Sequence, residues 1–186
     1  TSTLAIMALT LSVLTGVPLG VISAVRQNSK LDYVLRVFSL SGLSLPSFWL
    51  GLLILMGFVH WLGTIPIYDR NHTPMQQLAF MLVPAAAVGY RASALIMRLT
   101  RSSMLEVLRQ DYIRTARSKG VSDGGVNYDH ALRNAVVPVI TIIGIEAAFL
   151  IGGLIVTETV FNIPGVARFL VEAIRMRDYP IVQNLV

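Results

Sequence analysis

Residues 4–25 read LAIMALTLSVLTGVPLGVISAV, twenty-two positions without an ionisable side chain, and residues 37–59 read VFSLSGLSLPSFWLGLLILMGFV, twenty-three more. A helix advances about 1.5 Å per residue, so either stretch is long enough to cross a hydrocarbon layer of about 30 Å. Two further stretches have the same character, 77–98 with Arg91 inside it and 134–157 with Glu146 inside it. From about residue 180 the chain turns apolar again, as the start of a fifth span. The fold class that follows is all-α, a polytopic transmembrane helical bundle. Thr1 opens directly on the apolar stretch with no basic residue ahead of it, which reads as a piece of a longer protein rather than a signal peptide.

Composition agrees. Of 186 residues 54% are hydrophobic and 13% charged, against about 25% charged in soluble domains. Too few charges remain to coat a water-facing surface. With no cysteine, disulfides, thiolate metal sites and thiol chemistry are excluded. If spans alternate, the segments 26–36 and 98–133 share a side, and that side holds ten of the fifteen basic residues: Arg26, Lys30, Arg36, Arg98, Arg101, Arg109, Arg114, Arg117, Lys119 and Arg133. The other side holds Arg70, Arg168, Arg175 and Arg177. Lys and Arg accumulate in cytoplasmic connections, so the first side is assigned to the cytoplasm. Its acids are Asp32, Glu106, Asp111, Asp123 and Asp129, while Asp69, Glu158, Glu172 and Asp178 balance the outer side. The net charge of +5 is thus a property of the cytoplasmic side, and topology rather than nucleic-acid binding accounts for it.

Within the spans, Ala8, Ser12, Gly16, Gly20 and Ala24 recur every fourth residue and put small side chains on one helix face. Such a stripe admits another helix at close range, from this chain or from a second subunit. Pro18, Pro46, Pro84 and Pro138 place one proline in each span, either kinking it or tolerated without consequence. Arg91 and Glu146 cost about 2.5 to 3.5 kcal/mol each at the centre of a membrane helix. They are expected to pair or to line a hydrated cavity, the alternative being that Arg91 snorkels and Glu146 is structural.

The cytoplasmic connection 100–133 is too long for a turn. Met104, Leu105, Leu108, Tyr112 and Ala116 fall at helical spacing, with Glu106, Arg109, Gln110, Arg114 and Arg117 opposite, which predicts one amphipathic helix that Gly120 ends in the left-handed conformation. Ser122 and Asp123 then cap a second helix through Asn127, Tyr128, Ala131 and Leu132. The product is an amphipathic helical hairpin, suited to a groove in a partner or to the lipid surface.

The run Asp111-Tyr112-Ile113-Arg114-Thr115-Ala116-Arg117-Ser118-Lys119-Gly120, with His130-Ala131-Leu132-Arg133-Asn134-Ala135 and Pro138, resembles the coupling loop of bacterial ATP-binding-cassette importer permeases, the binding-protein-dependent inner membrane components. The dipeptide, oligopeptide and nickel branch is the most similar. The general loop in that family is Glu-Ala-Ala, three residues, Gly, nine residues, Ile-x-Leu-Pro. With the glycine placed on Gly120, Ala116 and Leu132 match, while Arg114, Thr115, His130 and Arg133 take the form used by the peptide branch. Glu158-Thr159-Val160-Phe161-Asn162-Ile163-Pro164-Gly165 extends the resemblance to the outer loop, 158–179. The resemblance implies a multi-pass permease of the bacterial inner membrane, translocating peptides, a nickel complex or glutathione by alternating access. It also implies that Leu108, Asp111, Tyr112, Arg114, Thr115, Ala116, Gly120, His130 and Leu132 form the loop docking into an ATPase. Implied partners are a second permease, identical or related, two ATPase subunits, an extracytoplasmic substrate-binding protein and the bilayer, with no nucleic acid.

On the outer side, Pro164-Gly165 makes a turn, and Val166, Phe169, Leu170, Ala173 and Ile174 form an apolar stripe on a short helix. By the resemblance this segment, with Glu158 and Phe161, lies near the pathway mouth; otherwise it is an interfacial helix packed on the bundle. No phosphate loop is present, so ATP and magnesium belong to the partner and this chain carries no cofactor. His60, His72 and His130 lack metal-ligand spacing, and no catalytic set is found. Two rival readings are a secondary transporter coupled through Glu146 and a membrane scaffold whose hairpin recruits a cytoplasmic partner.

Overall fold

The computed structural model describes residues 1–63, 73–152 and 154–185. Asp69, Arg70 and His72 lie outside the described residues. Among those described, the chain is predominantly helical with no strand, an all-α polytopic membrane protein. Helix α1 spans Ser2–Val25, and α2 (Lys30–Ser44) and α3 (Ser47–Leu62) follow. The longest helix is α4 (Pro74–Leu108), and α5 is Asp111–Ser118. A short α6 (Asp123–Gly125) opens directly into a π-helical segment, Val126–Leu132, and then α7 (Arg133–Gly152). The chain closes with α8 (Ile155–Val160), α9 (Val166–Met176) and α10 (Tyr179–Leu185).

Residues 37–59, read as one straight span, are two helices bent by 103°. Pro46 is the cause. It adopts φ −61° and ψ 133° ahead of α3, it has no N–H for the carbonyl one turn back, and it drives the preceding residue out of the helical region. Pro18, Pro84 and Pro138 sit inside continuous helices, where the lost backbone bond leaves the helix intact. Helix α4 runs ten residues past the expected end of its span, to Leu108. The stretch 134–157 is also interrupted, since α7 stops at Gly152 and α8 starts anew at Ile155.

The residues group into two compact units, 1–11, 45–90 and 147–186 in one, 12–44 and 91–146 in the other. In the first, Leu4, Ala8, Phe80, Val88, Leu150, Leu154, Phe161 and Ile163 form an apolar core. In the second, Val21, Ala24, Met104, Val107, Ile113, Ala116, Val126, Ala131 and Ala135 do so. Helices α1, α4 and α7 contribute residues to both cores. Of the three, α4 is the most enclosed, with 61% of its most apolar window buried against 33% for α1 and 22% for α7.

Candidate functional site

The hairpin is built on the second core. One amphipathic helix from Met104 to Ala116 was expected, but α4 ends at Leu108 and Gln110 is extended at ψ 153°, so α5 starts afresh at Asp111. The break resets the helical phase. Ile113, which the sequence reading passed over, becomes the anchor of α5 and is fully buried together with Ala116, whereas Tyr112 stands 39% exposed. Leu108 and Leu132 pack at the edge of the same core. Tyr112 is held from outside, its hydroxyl accepting a hydrogen bond from Asn134 Nδ2 at 2.8 Å, and the same amide group donates to the carbonyl of His130. Asp111 and Arg114 form an exposed pair at 3.7 Å, and the Thr115 hydroxyl donates to the Asp111 carbonyl at 3.0 Å.

Helix α5 ends at Gly120, whose φ of 80° is a left-handed conformation that other residues rarely adopt. The N–H of Gly120 donates to Arg117 O and that of Val121 to Ala116 O, the two bonds of a Schellman stop. An added Cβ at Gly120 meets nothing within 4 Å, so the constraint on this position is backbone conformation, not space. Ser122 Oγ accepts from the N–H of Gly125 and caps the returning helix. That helix departs from the α-spacing expected through Asn127 and Tyr128. Val126, Ala131 and Ala135 are buried while Tyr128 is exposed, because the π segment widens the interval between core-facing residues to five before α-spacing resumes. His130 lies on the exposed side.

The small-residue stripe of α1 is buried along its whole length, and its partner is α4 of the same chain. A Cβ on Gly16 would meet Ser93 O at 2.8 Å, and one on Gly20 would meet Thr100 Cβ at 2.6 Å. Ser12, in the same stripe, is fully buried, and the hydroxyls of Thr15 and Ser93 bond at 2.7 Å. Arg91 Nη1 lies 3.9 Å from Glu146 Oε2, the arginine half-exposed and the glutamate buried. The two groups are brought together as an ion pair, at a separation beyond hydrogen-bond range.

Asp32 had been counted only as a cytoplasmic acid, yet it is fully buried. Arg101 Nε and Nη2 donate to its two carboxylate oxygens at 2.9 Å each, a bidentate charge-assisted pair. The Ser23 hydroxyl donates at 2.5 Å and the Asn28 N–H at 3.0 Å, tying the end of α1 and the α1–α2 connection to α4. Asn28 reaches this position through φ 63°. Ser29 Oγ accepts from the N–H of Asp32 and caps α2. The signals present in the sequence were Asn28-Ser29 ahead of Asp32 and an arginine at the far end of a long apolar helix.

In the segment 158–165, Glu158 and Phe161 are buried rather than displayed, while Pro164 is exposed. Glu158 accepts hydrogen bonds from the Thr1 hydroxyl and, at 3.0 Å, from the N–H of Arg168. Gly165 precedes α9 with no side chain to cap it. The Glu158 carboxylate does that work from a distance and occupies the space that a Gly165 Cβ would need. Phe161 packs on Gly51, where a Cβ would come within 2.8 Å of its ring. On α9 the buried positions are Ala167 and Ala173, while Val166, Phe169 and Ile174 of the apolar stripe are exposed.

Residues 16–186 match the family described as binding-protein-dependent transport system inner membrane component. The chain is 39% identical to the dipeptide transport system permease protein DppB of Alkalihalophilus pseudofirmus, over 97% of this chain and 61% of that protein. It is 41% identical to the probable peptide ABC transporter permease protein y4tP of Sinorhizobium fredii, over 100% of this chain and 60% of the relative. With the glutathione transport system permease protein GsiC of Pectobacterium atrosepticum it shares 39%, over 97% and 57%. The chain thus spans roughly three-fifths of the length of these relatives. The family match takes in the second core, the hairpin, the Glu158 loop and the first core apart from its α1 residues Leu4, Ala5 and Ala8, and the chain belongs to the binding-protein-dependent transport system inner membrane component family.

Proposed function

We propose that this chain is the translocating part of the permease subunit of an ATP-driven importer in the bacterial inner membrane, carrying peptides or a related small solute such as glutathione or a nickel complex. The observation that carries the reading is α5, a surface helix of eight residues that presents Asp111, Tyr112, Arg114 and Thr115 outward. Its inner side, Ile113 and Ala116, inserts among residues of α1, α4, the π segment and α7. A force on α5 from a docked ATPase would therefore be delivered to three long helices at once. Interiors packed this tightly transmit displacement rather than absorb it. The hairpin is cytoplasmic in this reading, consistent with the excess of arginine and lysine on its side. ATP and magnesium are bound by the partner ATPases, a second permease completes the pathway, and a binding protein delivers cargo outside. The chain has a transport role and performs no covalent chemistry. Glu146, buried and 3.9 Å from Arg91, is the acid through which a gradient-driven transporter would have to couple, and dependence of uptake on ATP or on the gradient separates the two readings.

The test is uptake by the full-length protein in vesicles with its ATPase and binding protein, comparing ATP, no ATP and a collapsed ion gradient. Uptake that needs ATP and ignores the gradient is expected. Gradient-driven uptake without ATP would overturn the reading, and binding of a cytoplasmic partner without flux would leave only a scaffold.

A further inference from the structure

We infer that a cleft between α2 and α4 is a binding site for an anionic phospholipid, its phosphate held by Arg36, Arg98 and Arg101. The inference is independent of the cargo and of the hairpin's partner. The cleft has a volume of about 280 Å³ and is lined by these arginines with Ser39, Leu40 and Met97. Arg36, Ser39 and Leu40 occupy one face of α2 by the i, i+3, i+4 rule, as do Met97 and Arg101 on α4. Ser39 Oγ donates to Ala94 O at 2.9 Å and fastens the two helices together beside the opening.

Three guanidinium groups in so small a space call for anionic charge, and Asp32 supplies only part of it. It is bonded to Arg101 at 2.9 Å and lies 3.6 Å from Arg36 Nε. Among the described residues no carboxylate pairs with Arg98, so two positive charges are left over. Arg101 has five N–H donors, and Asp32 occupies two of them. Asp32 also fixes the direction in which Arg101 points, which makes the cluster a preformed anion receptor.

The polarity of the surroundings selects the form of the anion. Leu40 lies one helical turn beyond Arg36, about 6 Å along the helix, and Met97 one turn from Arg101, both away from the α1–α2 connection. Of these two cleft-lining apolar side chains, Leu40 is left exposed and Met97 is buried. A cationic cluster followed one turn on by the exposed, apolar Leu40 matches a headgroup joined to an acyl chain. It does not match a freely soluble anion, which has no use for the apolar side.

The experiment uses the full-length protein in nanodiscs or detergent, with native mass spectrometry counting retained lipids during titration by phosphatidylglycerol or phosphatidylcholine. Preferential retention of phosphatidylglycerol is expected, and Arg36→Gln with Arg98→Gln should weaken it by about 25-fold, roughly five-fold for each basic residue. Arg101 is left intact because Asp32 depends on it. Leu40→Asn should weaken lipid retention several-fold and leave binding of inorganic phosphate unchanged, and it provides a second test if the double arginine variant fails to fold. Equal retention of the two lipids would overturn the proposal. So would inorganic phosphate at millimolar concentration displacing the lipid, or the cleft retaining no lipid because another part of the longer protein covers it.

Discussion

Replacing Ile113 with alanine tests the part of the architecture on which the docking argument depends. Helix α5 has only eight residues, well short of the roughly 12 to 15 at which isolated helices become even marginal in water, so it persists because it is anchored. Its outer bonds are weak. The Tyr112–Asn134 hydrogen bond is exposed, worth about 1 kcal/mol, and exposed ion pairs such as Asp111–Arg114 contribute at most about 1 kcal/mol. Ile113 is fully buried, and Ile→Ala deletes three carbons at about 0.8 kcal/mol each. The cavity left behind brings the expected loss to roughly 2 to 4 kcal/mol. Because the anchor serves α5 and not the whole bundle, the effect should be local, raising the opening equilibrium of this helix about 30- to 700-fold. Hydrogen exchange of the full-length protein in nanodiscs reads it directly, as faster exchange of the amides of α5 while those in the middle of α4 keep their protection. Ile113→Val should give a graded effect of about 0.5 to 1.5 kcal/mol. Unchanged exchange in α5 in the alanine variant would refute the anchoring argument, whatever the effect on transport.

Asp32→Asn removes the anion from a fully buried position and leaves the partly exposed Arg101 unpaired, and a loss of about 1.5 to 3 kcal/mol should appear as a drop in thermal midpoint; an unaltered midpoint would mean the Asp32–Arg101 bond does not support the fold. Gly20→Leu forces α1 from α4 at a point where even a Cβ would lie 2.6 Å from Thr100 Cβ, and a cost of about 1 to 3 kcal/mol or more should be seen as reduced folded yield in size-exclusion analysis, whereas Gly57→Leu, where a Cβ meets nothing within 4 Å, should be tolerated. Gly165→Ala should disturb the start of α9 by displacing the Glu158 carboxylate, measured as increased protease sensitivity after residue 160, and a second change, Glu158→Ala, should relieve the overlap without restoring the cap. For the Arg91–Glu146 pair, exchanging the two residues should recover part of the uptake lost by either single neutral variant, and no recovery would show that their proximity is incidental to transport.

Span existence was legible because charge-free stretches of twenty-two and twenty-three residues have no other economical reading in a chain so poor in charge. The breaks were less so. A 103° bend falls at Pro46 while Pro18, Pro84 and Pro138 lie inside continuous helices, and one proline per apolar stretch does not by itself separate the two outcomes. Gly120 was readable, since a glycine after a polar helix end has a specific conformational use. Ile113 was not, because the expected helix was carried in phase across Arg109 and Gln110, where the chain in fact breaks. Asp32 and Glu158 were misjudged for one reason: counting charges by side treats every carboxylate as solvated. Beside nearer partners each has one far away in sequence, Arg101 for Asp32 and the hydroxyl of Thr1 for Glu158, which only the folded chain brings close.

The π segment at 126–132 makes the length of the hairpin an angular quantity. A helix turns by about 100° per residue, so a π turn, which holds one residue more than an α turn, sets the orientation of everything before it relative to α7. Deleting one residue here would not shorten the loop so much as rotate it, swinging Val126 off the core while Ala135 stayed in place. Insertions and deletions in this stretch thus act as changes of aim. A chain that must present Tyr112 and Arg114 in a fixed direction can vary the residues between Ser122 and Arg133 more freely than it can vary their number.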